Sequence, residues 1–138
     1  MNLLEVNVLV LAYMGDTVYE NYVRKYLIEK GIGNVNDLQT SSLNYVSAKS
    51  QAKYLTEMID KEYLTSDELD IVKRARNYKT TSHPKSCDII TYKYATGLEA
   101  LIGYLYLNNN KERIDEIMNF ILRWDYVSNG EKCCERFT

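Results

Sequence analysis

Apolar side chains recur at three- and four-residue intervals along most of this chain, and a single proline interrupts them. That pattern predicts an all-α protein. The first helix starts near Asn2 or Asn7, both good caps, and runs to about Glu29, where Gly31 and Gly33 mark its end. Asn36 to Gln39 reads as a turn or short helix. A second long helix is expected from about Ser41 to Asp60, with Leu43, Val46, Leu55 and Ile59 supplying much of its core side. Thr65-Ser66-Asp67-Glu68 is a capping box that opens a helix ending near Asn77. From Tyr78 to Ile90 the periodicity stops, and Ser82-His83-Pro84 breaks any helix, which leaves a polar loop longer than ordinary connections. Tyr92 to Leu107 is strongly apolar and helical, and a last helix is expected from about Lys111 to Trp124. No repeat or second domain is visible, so residues 1–124 form the predicted domain and residues 125–138 a polar tail.

Composition narrows the class. The chain has 138 residues, 46% hydrophobic and 26% charged, enough for one real core and typical of neither a disordered nor a membrane protein. Its longest apolar run, Val8 to Met14, is far too short to span a bilayer, and no basic-then-apolar leader opens it. A cytoplasmic protein with reduced thiols is the expectation. Cys133 and Cys134 are adjacent and Cys87 is distant, so no disulfide framework is implied. Those cysteines and His83 match no common zinc spacing. With one histidine on a Pro-flanked loop, triad chemistry is disfavoured, and any catalysis falls to carboxylates.

The net charge of −2 argues against a nucleic-acid partner, but its distribution does not. Lys73, Arg74, Arg76, Lys79, Lys85 and Lys93 stand together against the single acid Asp88, leaving eleven basic and eighteen acidic residues elsewhere. One basic segment on an acidic body is a candidate phosphate-binding face, or else a solvated loop.

Two carboxylates interrupt apolar helices. In LAYMGDTVYE, residues 11–20, Gly15 and Asp16 sit mid-helix, where Gly costs about 1 kcal/mol relative to Ala. In YKYATGLEALIGYLYL, residues 92–107, Glu99 lies between Gly97 and Gly103, on a helix face shared with Tyr92, Ala95, Thr96, Gly103 and Tyr106. Small residues let helix backbones approach closely. If the Gly15 and Gly103 regions cross, Asp16 and Glu99 converge. Two such carboxylates repel, so one holds a proton unless a divalent cation neutralises both, and oxygen-only ligands suit magnesium or manganese. Spacing alone leaves open the ordinary alternative, that each pairs with a Lys or Arg.

These two stretches, with VSAKSQA (residues 46–52), RARNYK (residues 74–79) and PKSCDIITYKYAT (residues 84–96), resemble the catalytic domain of the ribonuclease III family, in particular its short Mini-III form. The likeness covers nearly all of Leu4 to Leu122, in the right order and spacing. It implies a helical endonuclease domain in which Asp16 and Glu99 are the catalytic metal ligands for Mg²⁺, with Mn²⁺ as a possible substitute. It also implies a homodimer with Tyr13 packed at the two-fold seam, double-stranded RNA as substrate, short 3′ overhangs as product, and a role in maturing large-subunit ribosomal RNA. Arg74, Arg76, Asn77, Lys79, Lys85 and Lys93 would then bind the RNA backbone. Longer relatives carry further acids where this chain has Leu9, Ala12 and Thr96, which leaves the ligand count open, and no double-stranded-RNA-binding domain is seen.

Thirteen tyrosines invite a base-stacking role, yet most, such as Tyr19, Tyr22, Tyr104 and Tyr106, fall at core spacing, so packing is expected. Two readings of other classes are weighed against nuclease activity. Retention of both Asp16 and Glu99 counts against an inactive RNA-binding relative. The basic segment counts against a helical protein-interaction module.

Overall fold

The computed structural model describes residues 2–79, 83–85 and 87–128, with side chains up to residue 122. After a 3₁₀ turn at Leu3–Glu5 come six helices: α1 (Val8–Glu29), α2 (Val35–Val46), α3 (Ala48–Asp60), α4 (Ser66–Asn77), α5 (Ile89–Leu107) and α6 (Lys111–Ser128). Among the described residues there is no strand, as the periodicity predicts.

The boundaries follow local side-chain chemistry. Asn7 opens α1 by accepting from the Leu9 amide at 2.7 Å, and Gly31 leaves the helix end at φ +97°, a conformation that suits glycine. The Thr65 box forms as expected: its hydroxyl accepts from the Glu68 amide at 3.2 Å, and the Glu68 carboxylate accepts from the Thr65 amide at 2.9 Å. Asp88 caps α5 by accepting from the Thr91 amide at 2.7 Å, so that helix begins three residues before Tyr92.

The expected single helix from Ser41 to Asp60 is two helices. Ser47 adopts extended backbone (ψ 151°), ends α2, and caps α3 through its hydroxyl, which accepts from the Ser50 amide at 3.2 Å. Serine offers the backbone this alternative to continuing a helix. Helix α2 also begins at Val35, capped by Asn34, so the short turn expected at Asn36 to Gln39 is its first part. Leu43, expected in the core, is exposed, whereas Leu55 is buried and Val46 and Ile59 are half-buried. Helix α6 continues four residues past Trp124; the rest of the tail, with Cys133 and Cys134, and Ser82 of the loop lie outside the described residues.

Helix α5 is the centre of the packing. Its residues are apolar nearly all round, which marks a helix covered on several sides. Leu98, Leu101, Ile102 and Leu105 join a core with Val18, Tyr19, Leu55, Met58 and Ile117, while Ala100 packs with Leu11, Ala12, Ile71 and Ala75. Two buried tyrosines satisfy their hydroxyls on backbone: Tyr19 donates to the Tyr45 carbonyl at 2.7 Å and Tyr54 to the Asn44 carbonyl at 2.9 Å. Tyr22 and Tyr104 are half-buried, but Tyr106 is exposed and departs from the expected core role.

One polar contact clamps the bundle. Arg113 on α6 donates to both Glu68 carboxylate oxygens, at 2.8 and 2.9 Å, and to the Tyr63 carbonyl at 2.7 Å. Among the described residues, no helix is long and apolar enough to cross a membrane.

Candidate active site

The crossing of α1 and α5 is built from two glycines. A Cβ placed on Gly15 would lie 1.7 Å from the main-chain oxygen of Glu99, and one on Gly103 would lie 1.8 Å from the main-chain oxygen of Leu11. No side chain fits at either point, so the backbones touch directly. The Gly in LAYMGDTVYE is therefore a packing requirement, and its neighbour Asp16 is carried to the helix that bears Glu99.

The two carboxyls meet. That of Glu99 is half-buried, within hydrogen-bond reach of the exposed Asp16 carboxyl. Burial, and then the adjoining Asp16, push Glu99 up to about 8. Two acids so placed cannot both carry full charge without a neutralising partner. Neither forms an ion pair with a lysine or arginine among the described residues, so the ordinary alternative of separate salt bridges is not what the fold provides. No group of three or more acidic, histidine or cysteine residues suited to a metal occurs among the described residues. Two oxygen ligands converging on one point fit a hard cation that keeps most of its waters, as Mg²⁺ does.

The three positions at which the resemblance leaves the ligand count open hold no acid. Leu9 is exposed, Ala12 is buried, and the Thr96 hydroxyl is turned back to its own helix, donating to the Tyr92 carbonyl at 2.9 Å. Glu20, one turn after Asp16, pairs with Arg24 at 2.7 Å.

A third residue approaches the pair. Gln51 on α3 is 2% exposed, and its amide lies close enough to the Glu99 carboxyl to favour the charged form. Its Nε2 nevertheless makes no hydrogen bond of regular geometry. Sequence reasoning passed over it, although the signal was there. Gln51, Tyr54, Leu55 and Met58 form one buried stripe, and a glutamine in such a stripe is out of place.

The basic residues divide. Arg74 is half-buried and structural in part: Nη2 donates to the Val6 carbonyl at 2.7 Å, while Nη1 is buried without a partner. Arg76 and Asn77 are exposed at the end of α4, bridged side chain to side chain at 3.4 Å, and Lys79 and Lys85 are exposed beyond it. Lys93 is half-buried in the second turn of α5. Tyr13 is 80% exposed on α1, beside the exposed Leu9 and Val10.

With this geometry, the likeness to known proteins takes on meaning. Residues 9–110 match the ribonuclease III domain. The chain is 43% identical over 119 residues to the Mini-ribonuclease 3 of Enterococcus faecalis, covering 86% of this chain and 90% of that one. It is 49% identical over 112 residues to that of Brevibacillus brevis, covering 81% and 82%. A crystal structure of a Fusobacterium nucleatum protein superposes with a TM-score of 0.77 at 36% identity, covering 88% of this chain and 95% of that one. The chain belongs to the ribonuclease III family, in its short Mini-III branch.

Proposed function

We propose that this protein is a divalent-metal-dependent endoribonuclease that cuts double-stranded RNA. One observation carries the reading: the glycine crossing of α1 and α5 sets the Asp16 and Glu99 carboxyls against one another without a basic partner. Mg²⁺, or Mn²⁺ in its place, would be held by these two oxygen ligands. Such an ion supplies a water of lowered pKa and neutralises charge developing on the scissile phosphate.

The chain's own residues do the rest. Asp16 is exposed and Glu99 half-buried, so an approaching phosphate meets the Asp16 carboxyl first. Arg76, Asn77, Lys79 and Lys85 offer charge and hydrogen bonds to the RNA backbone, joined by Lys93 and the accessible part of Arg74. A-form RNA is recognised mainly by shape, phosphates and 2′-hydroxyls, so this surface needs no base readout. One site cuts one strand. Cutting both requires two sites, and a homodimer joined through the apolar strip around Tyr13 supplies them. A large-subunit ribosomal RNA precursor, processed in the cytoplasm, is the substrate this reading favours.

Duplex RNA incubated with Mg²⁺ and the protein tests the reading. Asp16→Asn and Glu99→Gln each remove a charged ligand while keeping shape, and should abolish cleavage while leaving duplex binding in place. Near-normal turnover by either variant would refute the assignment.

A further inference from the structure

Gln51 is neither a candidate ligand nor part of the basic face. It comes from α3, a different helix from either carboxylate, and its side chain is sealed from solvent where α3 packs on α5. A buried amide without a good partner is rare, because the lost contact with water is uncompensated. Here the unpartnered atom is Nε2, a donor, and the acceptor beside it is the carboxyl of Glu99. A carboxylate has two acceptor oxygens, so one can take the Gln51 amide while the other stays open to a cation.

We infer that Gln51 is a positioning residue for the metal site, its Nε2 donating to one Glu99 oxygen so that the other faces the cation. The inference rests on the reading of Asp16 and Glu99 as ligands. It assigns Gln51 the part that outer hydrogen-bonding partners play for ligating carboxylates elsewhere. The alternative for Gln51, a space-filling core residue, is served equally well by an apolar side chain of the same length.

Gln51→Met makes that comparison, since methionine matches glutamine in length and flexibility but donates nothing. Mn²⁺ affinity, measured by calorimetry without RNA, should fall about tenfold, the lower end for loss of such a partner. The melting temperature should hold or rise, because an unpaired donor has left the core. In cleavage assays kcat should fall with KM for duplex unchanged, and excess Mn²⁺ should restore part of it. The unmodified protein gives a second readout that needs no variant to fold. It contains only two glutamines, Gln39 and Gln51, and Gln39 is exposed. With ¹⁵N-labelled glutamine, Mg²⁺ should shift the Gln51 side-chain amide signals and leave those of Gln39 in place.

Wild-type Mn²⁺ affinity in Gln51→Met, or Gln51 signals unmoved by Mg²⁺ that binds, would overturn the inference. Glu99→Gln separates the two levels. If it too binds Mn²⁺ as the wild type does, the ligand assignment itself is wrong. If it loses binding while Gln51→Met keeps it, only the role of Gln51 falls.

Discussion

Replacing Gly15 by alanine tests the crossing on which the site depends, and the sign of the effect is diagnostic. In a helix interior Gly→Ala ordinarily stabilises by about 1 kcal/mol, through backbone entropy and propensity. At Gly15 the new methyl carbon would sit 1.7 Å from the Glu99 main-chain oxygen and 2.7 Å from the Gly103 nitrogen. Real Cβ atoms essentially never approach closer than 3.0 Å, so α1 and α5 must part by more than about 1 Å. Both opposing atoms are backbone, so no side-chain rotation relieves the clash. Overpacking of this kind costs about 1–3 kcal/mol and occasionally more, and here it exceeds the propensity gain. A loss of about 2 kcal/mol lowers the melting point of a domain this size by roughly 5–10 °C. Parting the helices by about 1 Å also displaces Asp16 from Glu99, and misplacement on that scale can cost about 100-fold in turnover. The control lies in the same helix pair's neighbour. A Cβ on Gly97 would meet Leu55 at 3.4 Å and Val72 at 3.5 Å, which is ordinary contact. Gly97→Ala should therefore stabilise by up to about 1 kcal/mol and leave activity unchanged. Thermal unfolding by circular dichroism and duplex cleavage in Mg²⁺ measure both arms. A Gly15→Ala protein as stable as Gly97→Ala would show that the backbones do not touch there.

The other predictions concern the clamp, the basic face and the seam. Burial alone would raise the Glu68 carboxyl, but hydrogen bonds from Arg113 and Thr65 outweigh it and hold it below the usual carboxylate range. The stability this adds is complete above the unfolded value near 4.3 and is lost as pH falls through the lower folded value. Glu68→Gln should thus flatten the acid limb of the stability–pH curve, while Arg113→Met, which strands a buried carboxylate, should cost about 3–5 kcal/mol at neutral pH by urea unfolding. If Arg76 neutralises a phosphate, Arg76→Ala should reduce the slope of log K against log salt by about 0.7–0.9 and raise KM more than it lowers kcat. An unchanged slope would mean that RNA lies elsewhere. Tyr13→Arg should give a monomer in analytical ultracentrifugation, and a persistent dimer would move the seam off α1.

Much of this architecture could be read from residue order because its causes are local. The capping box at Thr65 and the cap at Asn7 depend on neighbours within three residues, and their helices begin beside them. The approach of Gly15 to Gly103 was anticipated because only glycine explains itself at a backbone contact. The break at Ser47 escaped notice, since serine is as common on helix surfaces as at caps, and only the extended ψ of the folded chain decides. Leu43 and Tyr106 were assigned inward by spacing, but the faces they occupy are left uncovered by neighbouring helices. Arg74 looked like its basic neighbours, and its tie to the Val6 carbonyl exists only once residue 74 has been folded against residue 6. Gln51 was hidden for the same reason, being distant in sequence from the Glu99 carboxyl it adjoins.

If Asp16 and Glu99 are the metal ligands, the glycine crossing also fixes how they act as a chelator. Residues 16 and 99 stand 83 positions apart, and bringing such ends together in a loose chain carries an entropic penalty of about 4 kcal/mol beyond a constant term. Folding of the core meets that penalty before any ion arrives. Because the contact is peptide group against peptide group, the separation of the two backbones that carry the carboxylates is set by stiff main-chain geometry. On that reading a cation encounters two arms already brought together, and loss of the crossing would leave two separate weak acids.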